Sequence, residues 1–239
     1  MPDGVECAFG ASLQLVHVPF DSPGAGAENG VVHLRSWLLS LIALAAPLTA
    51  ADLFKDDFSS FPAGPLTNPV GTLNAAIQEY HYLAHRGVPL GAWANAICHM
   101  DAWLISDENG KPYLEQFVTS NSNQFSNPIF LTGDPEWSDY SVEANVRPLA
   151  FDNAAGLVFR YHTNRHYYRF AVTGGNRAVL ALQLPIETKF RVPEWKELAS
   201  APFPYDSTRY YTLKVENDGP RIRASIDGKV VLELSLIHI

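Results

Sequence analysis

Two cysteines in 239 residues, Cys7 and Cys98, are too few for a disulfide framework. A basic excess is also missing. Lys and Arg number 17 against 25 Asp and Glu, a formal net charge of −8. That balance excludes a general nucleic-acid binder, which needs a basic face to displace counterions from phosphates. Charged residues make up only 18% and apolar residues 47%, which excludes a disordered chain. No apolar run approaches the roughly twenty residues of a membrane span, so no span is expected in the mature form. The sequence contains neither an HExxH metal motif nor an internal repeat or low-complexity linker.

The ends read differently from the middle. Residues 31–51, VVHLRSWLLSLIALAAPLTAA, have the layout of a secretory signal peptide. Arg35 is the positive flank, 37–46 the short apolar stretch, and Thr49 and Ala51 the small residues before a cleavage ahead of Asp52. Residues 1–30 read as an unstructured segment from an upstream start. Export then leaves Cys98 as the one thiol, set among apolar neighbours in NAICHMDAW, where a buried small hydrophobe is expected. Residues 234–239, LSLIHI, resemble the translation of a sequencing-library adapter. On that reading the natural chain continues into a downstream domain.

From Ser141 onward the dominant period is two. SVEANVRP at 141–148 alternates Val142, Ala144 and Val146 with polar residues, and GLVFRYH at 156–162 and YYRFAV at 167–172 follow. Strands are also expected at 178–184, 210–216, 221–227 and 229–234. Gly174-Gly175-Asn176, Asn217-Asp218-Gly219-Pro220 and Asp227-Gly228 supply the turns. Earlier strands fall at 103–105, 113–118 and 129–131. Helical period appears only at 73–85, ahead of Pro89.

The strings GDPEWSDYSVEANVRP, AGLVFRYHTNRHYYRFAV and YYTLKVENDGPRIRASIDGKVVLE, with KDDFSSF near the start, resemble the concanavalin A-like lectin/glucanase superfamily, in its laminin-G-like branch. The resemblance runs over 52–233. It implies an all-β fold, an antiparallel jelly-roll β-sandwich with a ligand-carrying concave sheet. Such domains end with two further strands, so the resemblance implies a sandwich truncated at its C-terminal strands, with an unpaired edge.

The pleat allows one face to be reconstructed. If Leu157, Phe159 and Tyr161 face the core with Tyr168, Phe170 and Val172, a four-residue loop at 163–166 sets His162 beside Tyr167 and Arg160 beside Arg169. Extending the register puts Glu143 beside Arg160 and Ser141 beside His162. Through the 174–176 turn, Gln183 falls beside Tyr167 and Ala181 beside Arg169. The expected open face thus presents Ser141, His162, Tyr167 and Gln183 in one row and Glu143, Arg160, Arg169 and Ala181 in the next. Two opposed arginines need a nearby anion. Either Glu143 completes a salt-bridged ladder that merely finishes the sheet, or a ligand hydroxyl or carboxylate engages the spare guanidinium, whose planar fork suits bidentate recognition. His162, Tyr167 and Gln183 would then supply the polar and aromatic contacts of a polysaccharide groove. Trp93 is a further candidate, at one end of that groove.

Metal ligands are also candidates. His81 and His85 are four apart, as on one helical face, and His99 and Asp101 would complete a transition-metal set. Asp56 and Asp57 resemble positions that hold structural calcium in some relatives.

Three functions follow. The first is an exported carbohydrate-binding module, the N-terminal part of a larger glycan-active protein. The second is a concave-sheet enzyme. The three acids on one strand that glucanases of the superfamily use are missing, and Asp134, Glu136 and Asp139 around Pro135 read as turn formers. A polysaccharide lyase fits better by residue type, with Arg160 and Gln183 neutralising a uronate while His162 and Tyr167 move protons. The third is a structural or protein-binding sandwich.

Overall fold

The computed structural model describes residues 7–17, 52–66, 88–90, 92–95, 103–116, 128–134, 136–149, 154–163, 165–186 and 193–236, with only the backbone course for 7–17, 88–90, 94–95 and 193. These residues build an all-β antiparallel sandwich. No helix among them is long and apolar enough to cross a membrane.

The larger sheet contains β1 (Cys7–His17), β2 (Asp52–Asp56), β3 (Gly64–Pro65), β6 (Trp103–Glu108), β7 (Lys111–Gln116), β9 (Tyr140–Pro148), β14 (Tyr211–Asp218), β15 (Arg221–Ile226) and β16 (Lys229–Ser235). Its order is β16-β15-β14-β9-β1-β7-β6-β3, with β2 also on β1. The second sheet is β10 (Ala155–Thr163), β11 (His166–Thr173), β12 (Arg177–Pro185) and β13 (Pro193–Pro202), in that order. A third, small sheet joins β4 (Val88–Leu90), β5 (Trp93–Asn95) and β8 (Phe130–Leu131).

Alternation decides the core. From β9, β14 and β15 the large sheet contributes Val142, Val146, Leu213, Val215, Ile222 and Ala224, and the four-stranded sheet contributes Leu157, Phe159, Phe170, Val172 and Leu180. Many intervening positions of the large sheet are charged. Its outer face carries a ladder in which Glu216 pairs with Lys214 and Arg223, and Glu233 with Arg223 and Arg221. Such exposed pairs add little stability, but they keep that face wet. At the other end, Phe58, Leu66, Trp93, Trp103, Ile105 and Leu114 form a second, aromatic-rich core.

Two tight approaches position these layers. Gly156 lies so close to β11 that a Cβ would stand 2.1 Å from the Phe170 carbonyl oxygen and 2.5 Å from the Ala171 Cα, so only glycine fits there. The Gly174–Asn176 turn, with Gly175 and Asn176 both at positive φ, joins β11 and β12 with the expected pairing.

The ends depart from the sequence reading. Residues 7–17, expected to be unstructured, run as β1, pairing with β9 along one edge and with β2 and β7 along the other. The sequence carries the signal for this, because Phe9, Ala11, Leu13 and Leu15 recur with period two. Leu234 and Leu236, assigned to a tail outside the fold, pack against the main core, and the Leu236 N–H donates to the Pro220 carbonyl at 2.8 Å. Residues 31–51 and 73–85 lie outside the described residues. Pro89 sits within β4.

Candidate functional site

The expected face survives in part. Tyr167 pairs with Gln183 and Arg169 with Ala181, as the turn chemistry required. These residues lie on the face of the four-stranded sheet turned away from the main core. Gln183 also faces Trp195 across β12–β13, and Ala181 faces Glu197. The small side chain of Ala181 leaves room for Arg169 to lie across β12, where its guanidinium sits 4.0 Å from the centroid of the Trp195 ring. The Tyr167 ring meets the same indole edge-on at 5.5 Å.

Arg160, His162, Glu143 and Ser141 do not join them. The ladder pairs Val158 with Arg169 and Phe159 with Tyr168, then slips and resumes at Thr163 with His166. The cause is Arg160 itself, at φ 47: a left-handed residue makes a bulge and turns the strand over. Tyr161 therefore leaves the core side and stacks on Tyr167 at 5.7 Å. His162 becomes exposed and stacks on His166 at 5.1 Å instead of meeting Tyr167. The Arg160 N–H donates to the Tyr140 hydroxyl at 2.9 Å and its guanidinium donates to the Gly219 carbonyl. Asp139 fastens the same turn by accepting the Gly219 N–H at 2.7 Å. Arg160 is thus a clasp between the sheets.

Glu143 and Ser141 belong to β9, which lies in the large sheet, opposite Lys214 and Glu216 of β14. β9 and β10 are consecutive but face each other across the core, so the expected Glu143–Arg160–Arg169 ladder is not built.

The surviving face is also less open than expected. Tyr167 is 1% exposed and Gln183 3%, and Ile129 packs with Tyr167 over one end of the face. Arg169 is half-buried, and burial pushes its pKa below the usual guanidinium value, with Tyr167 acting weakly the other way. A guanidinium nevertheless stays charged in proteins. Its Nε and the Oε1 of Gln183 are withdrawn from solvent, and neither has a hydrogen-bond partner among the described residues. Trp195 is the exposed large aromatic of the described residues, at 36%.

At the far end of the face, Arg177 bonds Glu197 and Ser200, each at 2.5 Å, and Ser200 donates to Glu197 at 2.7 Å. These hydrogen bonds hold the Glu197 carboxyl below its usual pKa.

Trp195 was missed in the sequence because β13 was not read as a strand. Prolines bound it, and a bulge opposite Leu180 and Ala181 breaks its period. The signal available was a tryptophan among charged neighbours in PEWKE.

Trp93, expected at one end of the groove, lies in the second, aromatic-rich core. It is 6% exposed, stacks on Phe130 at 4.9 Å, and donates its Nε1–H to Asp56 Oδ2 at 2.7 Å. Asp56 Oδ1 accepts the Phe58 N–H at 2.7 Å, so both oxygens of this proposed calcium ligand already serve the protein. Asp57 accepts the Ser59 N–H at 3.0 Å, and its bonds with Ser59 lower its pKa. His81, His85, His99, Asp101 and Cys98 lie outside the described residues. Among the described residues, no three His, Cys, Asp or Glu side chains gather as a metal site.

Fold and face together define an antiparallel β-sandwich whose four-stranded sheet carries Arg169, Tyr167 and Trp195 on its outer face. No protein-family model matches the sequence, and no curated protein matches it either. Among solved structures, a carbohydrate binding module, CBM66 from Bacillus subtilis, is similar at 16% identity and a TM-score of 0.44, over 61% of this chain and 80% of that chain.

Proposed function

We propose that the chain is an exported, carbohydrate-binding β-sandwich module whose ligand rests on the outer face of the four-stranded sheet, with Trp195 as platform and Arg169 and Gln183 as polar contacts. The carrying observation is the exposed Trp195 indole, backed by the Arg169 guanidinium and edged by the Tyr167 ring. Rigid aromatic surface beside directional polar groups is what a sugar ring needs, since its C–H faces are apolar and its rim is hydroxyl. Two buried polar atoms of the same face, Arg169 Nε and Gln183 Oε1, have no hydrogen-bond partner among the described residues and support the same reading. Export, and a further domain acting on the same glycan, belong to the reading through the 31–51 segment and the resemblance.

The geometry favours binding over catalysis by the lyase arrangement. Arg160 forms the bulge and His162 stands beyond it, while Tyr167 is buried beneath aromatic rings. The proton-transfer pair does not assemble with Gln183 among the described residues.

A glycan array with fluorescently tagged protein tests the proposal. Retention on at least one polysaccharide, weakened about tenfold or more by Trp195→Ala with the thermal transition preserved, supports it. An array without signal, or retention indifferent to Trp195, contradicts it.

A further inference from the structure

Resting on that reading, the state of Arg169 narrows the ligand. A guanidinium carries a full positive charge, and this one is stacked on an indole and partly withdrawn from water. Five other arginines of the sandwich meet carboxylates: Arg147 with Glu108, Arg177 with Glu197, Arg209 with Asp227, Arg221 with Glu233, and Arg223 with Glu216 and Glu233, while the Arg160 guanidinium donates to the Gly219 carbonyl. Arg169 has no such carboxylate among the described residues. Its direct neighbours across the ladders are Val158 and Ala181, and the nearest carboxylate along β13, Glu197, is engaged by Arg177 and Ser200. A withdrawn charge without a counterion is costly unless something negative reaches it.

Gln183 states the complementary need. It is a diagonal neighbour of Arg169 on one face, the spacing at which long side chains meet, and its Oε1, without a partner among the described residues, is a hydrogen-bond acceptor. The two side chains together call for a group that accepts at the arginine and donates, directly or through a bridging water, at the glutamine. A neutral sugar hydroxyl can do both but leaves the charge unanswered. A carboxylate flanked by a ring hydroxyl answers both.

We infer that the face binds acidic polysaccharide, with the carboxylate of a uronic-acid residue on the Arg169 guanidinium, an adjacent hydroxyl directed at Gln183, and the sugar ring against Trp195. The aromatic backing fixes the plane of the guanidinium in advance, which favours bidentate pairing and reduces the ordering cost of binding.

The test compares polymers that differ only in the carboxylate. Polygalacturonate, alginate and hyaluronan are each set against their carboxyl-reduced counterparts in affinity electrophoresis with the whole chain. The inference expects retention by at least one acidic polymer, at least tenfold weaker retention by its reduced form, and loss of that difference in Arg169→Gln. Added salt should weaken the acidic interaction more than any neutral one. The wild-type comparison stands by itself should Arg169→Gln fold poorly. Equal retention of acidic and reduced forms, or retention of neutral glycans alone, overturns the carboxylate assignment while leaving glycan binding intact. Retention of none, acidic or neutral, overturns both.

Discussion

Asp56 is the place where a carboxylate's structural role and its metal-binding role give opposite results. Its Oδ1 holds the Phe58 N–H and its Oδ2 the Trp93 Nε1–H, each at 2.7 Å. Phe58 is 3% exposed and sits at φ 62, so the Oδ1 bond also holds an unfavourable backbone turn in place. Asp56→Ala removes both acceptors and leaves two donors inside the aromatic core. An unsatisfied buried donor costs about 1–3 kcal/mol, so the pair should cost about 2–6 kcal/mol. In a domain of this size each kcal/mol lowers Tm by roughly 2–4 °C, which gives a fall of about 4–24 °C. Asp56→Asn keeps one acceptor and should lose about half as much. Asp57→Ala, which frees only an exposed turn, should hardly move the transition. Urea unfolding followed by tryptophan fluorescence reads all three, with the slope unchanged if only stability is altered. If the two aspartates instead shared a structural calcium, Asp57→Ala would cost as much as Asp56→Ala and a chelator would destabilise the wild type. Either result would refute the hydrogen-bond account.

Three further outcomes are expected. Gly156→Ala should destabilise by about 1–3 kcal/mol, because the new methyl meets strand backbone that cannot yield; an unchanged or raised Tm would contradict that packing. Tyr140→Phe removes the acceptor of the Arg160 N–H and should cost about 1–2 kcal/mol in urea unfolding; neutrality would mean that the bulge does not depend on this bond. Burial, and then the nearby His162, hold His166 below the usual imidazole pKa, so between that lowered value and about 6.5 the unfolded chain binds more protons than the folded one. Tm should therefore fall as pH drops through that window, and less so in His166→Gln; parallel pH profiles for the two proteins would contradict it.

The strands were legible where turn chemistry and alternation agree. β11 and β12 paired as read because Gly174–Asn176 permits one tight connection and the alternation on both sides matches it. The same reasoning failed one hairpin earlier, where Arg160 takes a left-handed conformation that no glycine or asparagine announces. The end of β10 after that residue changed face, taking Tyr161 onto the Tyr167 side and His162 away from it. The misplacement of Glu143 had a different origin. Alternation says that β9 and β10 each bury one face, but it does not say whether the two pair edge to edge or pack face to face. Trp195 stayed hidden because a bulged, proline-bounded edge strand gives no period to read. Register alone set Arg169 and Gln183 on one face; their lack of partners among the described residues became visible only when the neighbouring strands were in place.

Hydrogen–deuterium exchange with and without the retained polysaccharide tests the central claim most directly, because it locates the ligand without altering a residue. The account predicts protection concentrated on the backbone of β11 to β13, around residues 166–171, 181–184 and 194–197, with the charged face of β14 and β15 unaffected. Protection centred on β14 and β15, or spread evenly over both sheets, would contradict it.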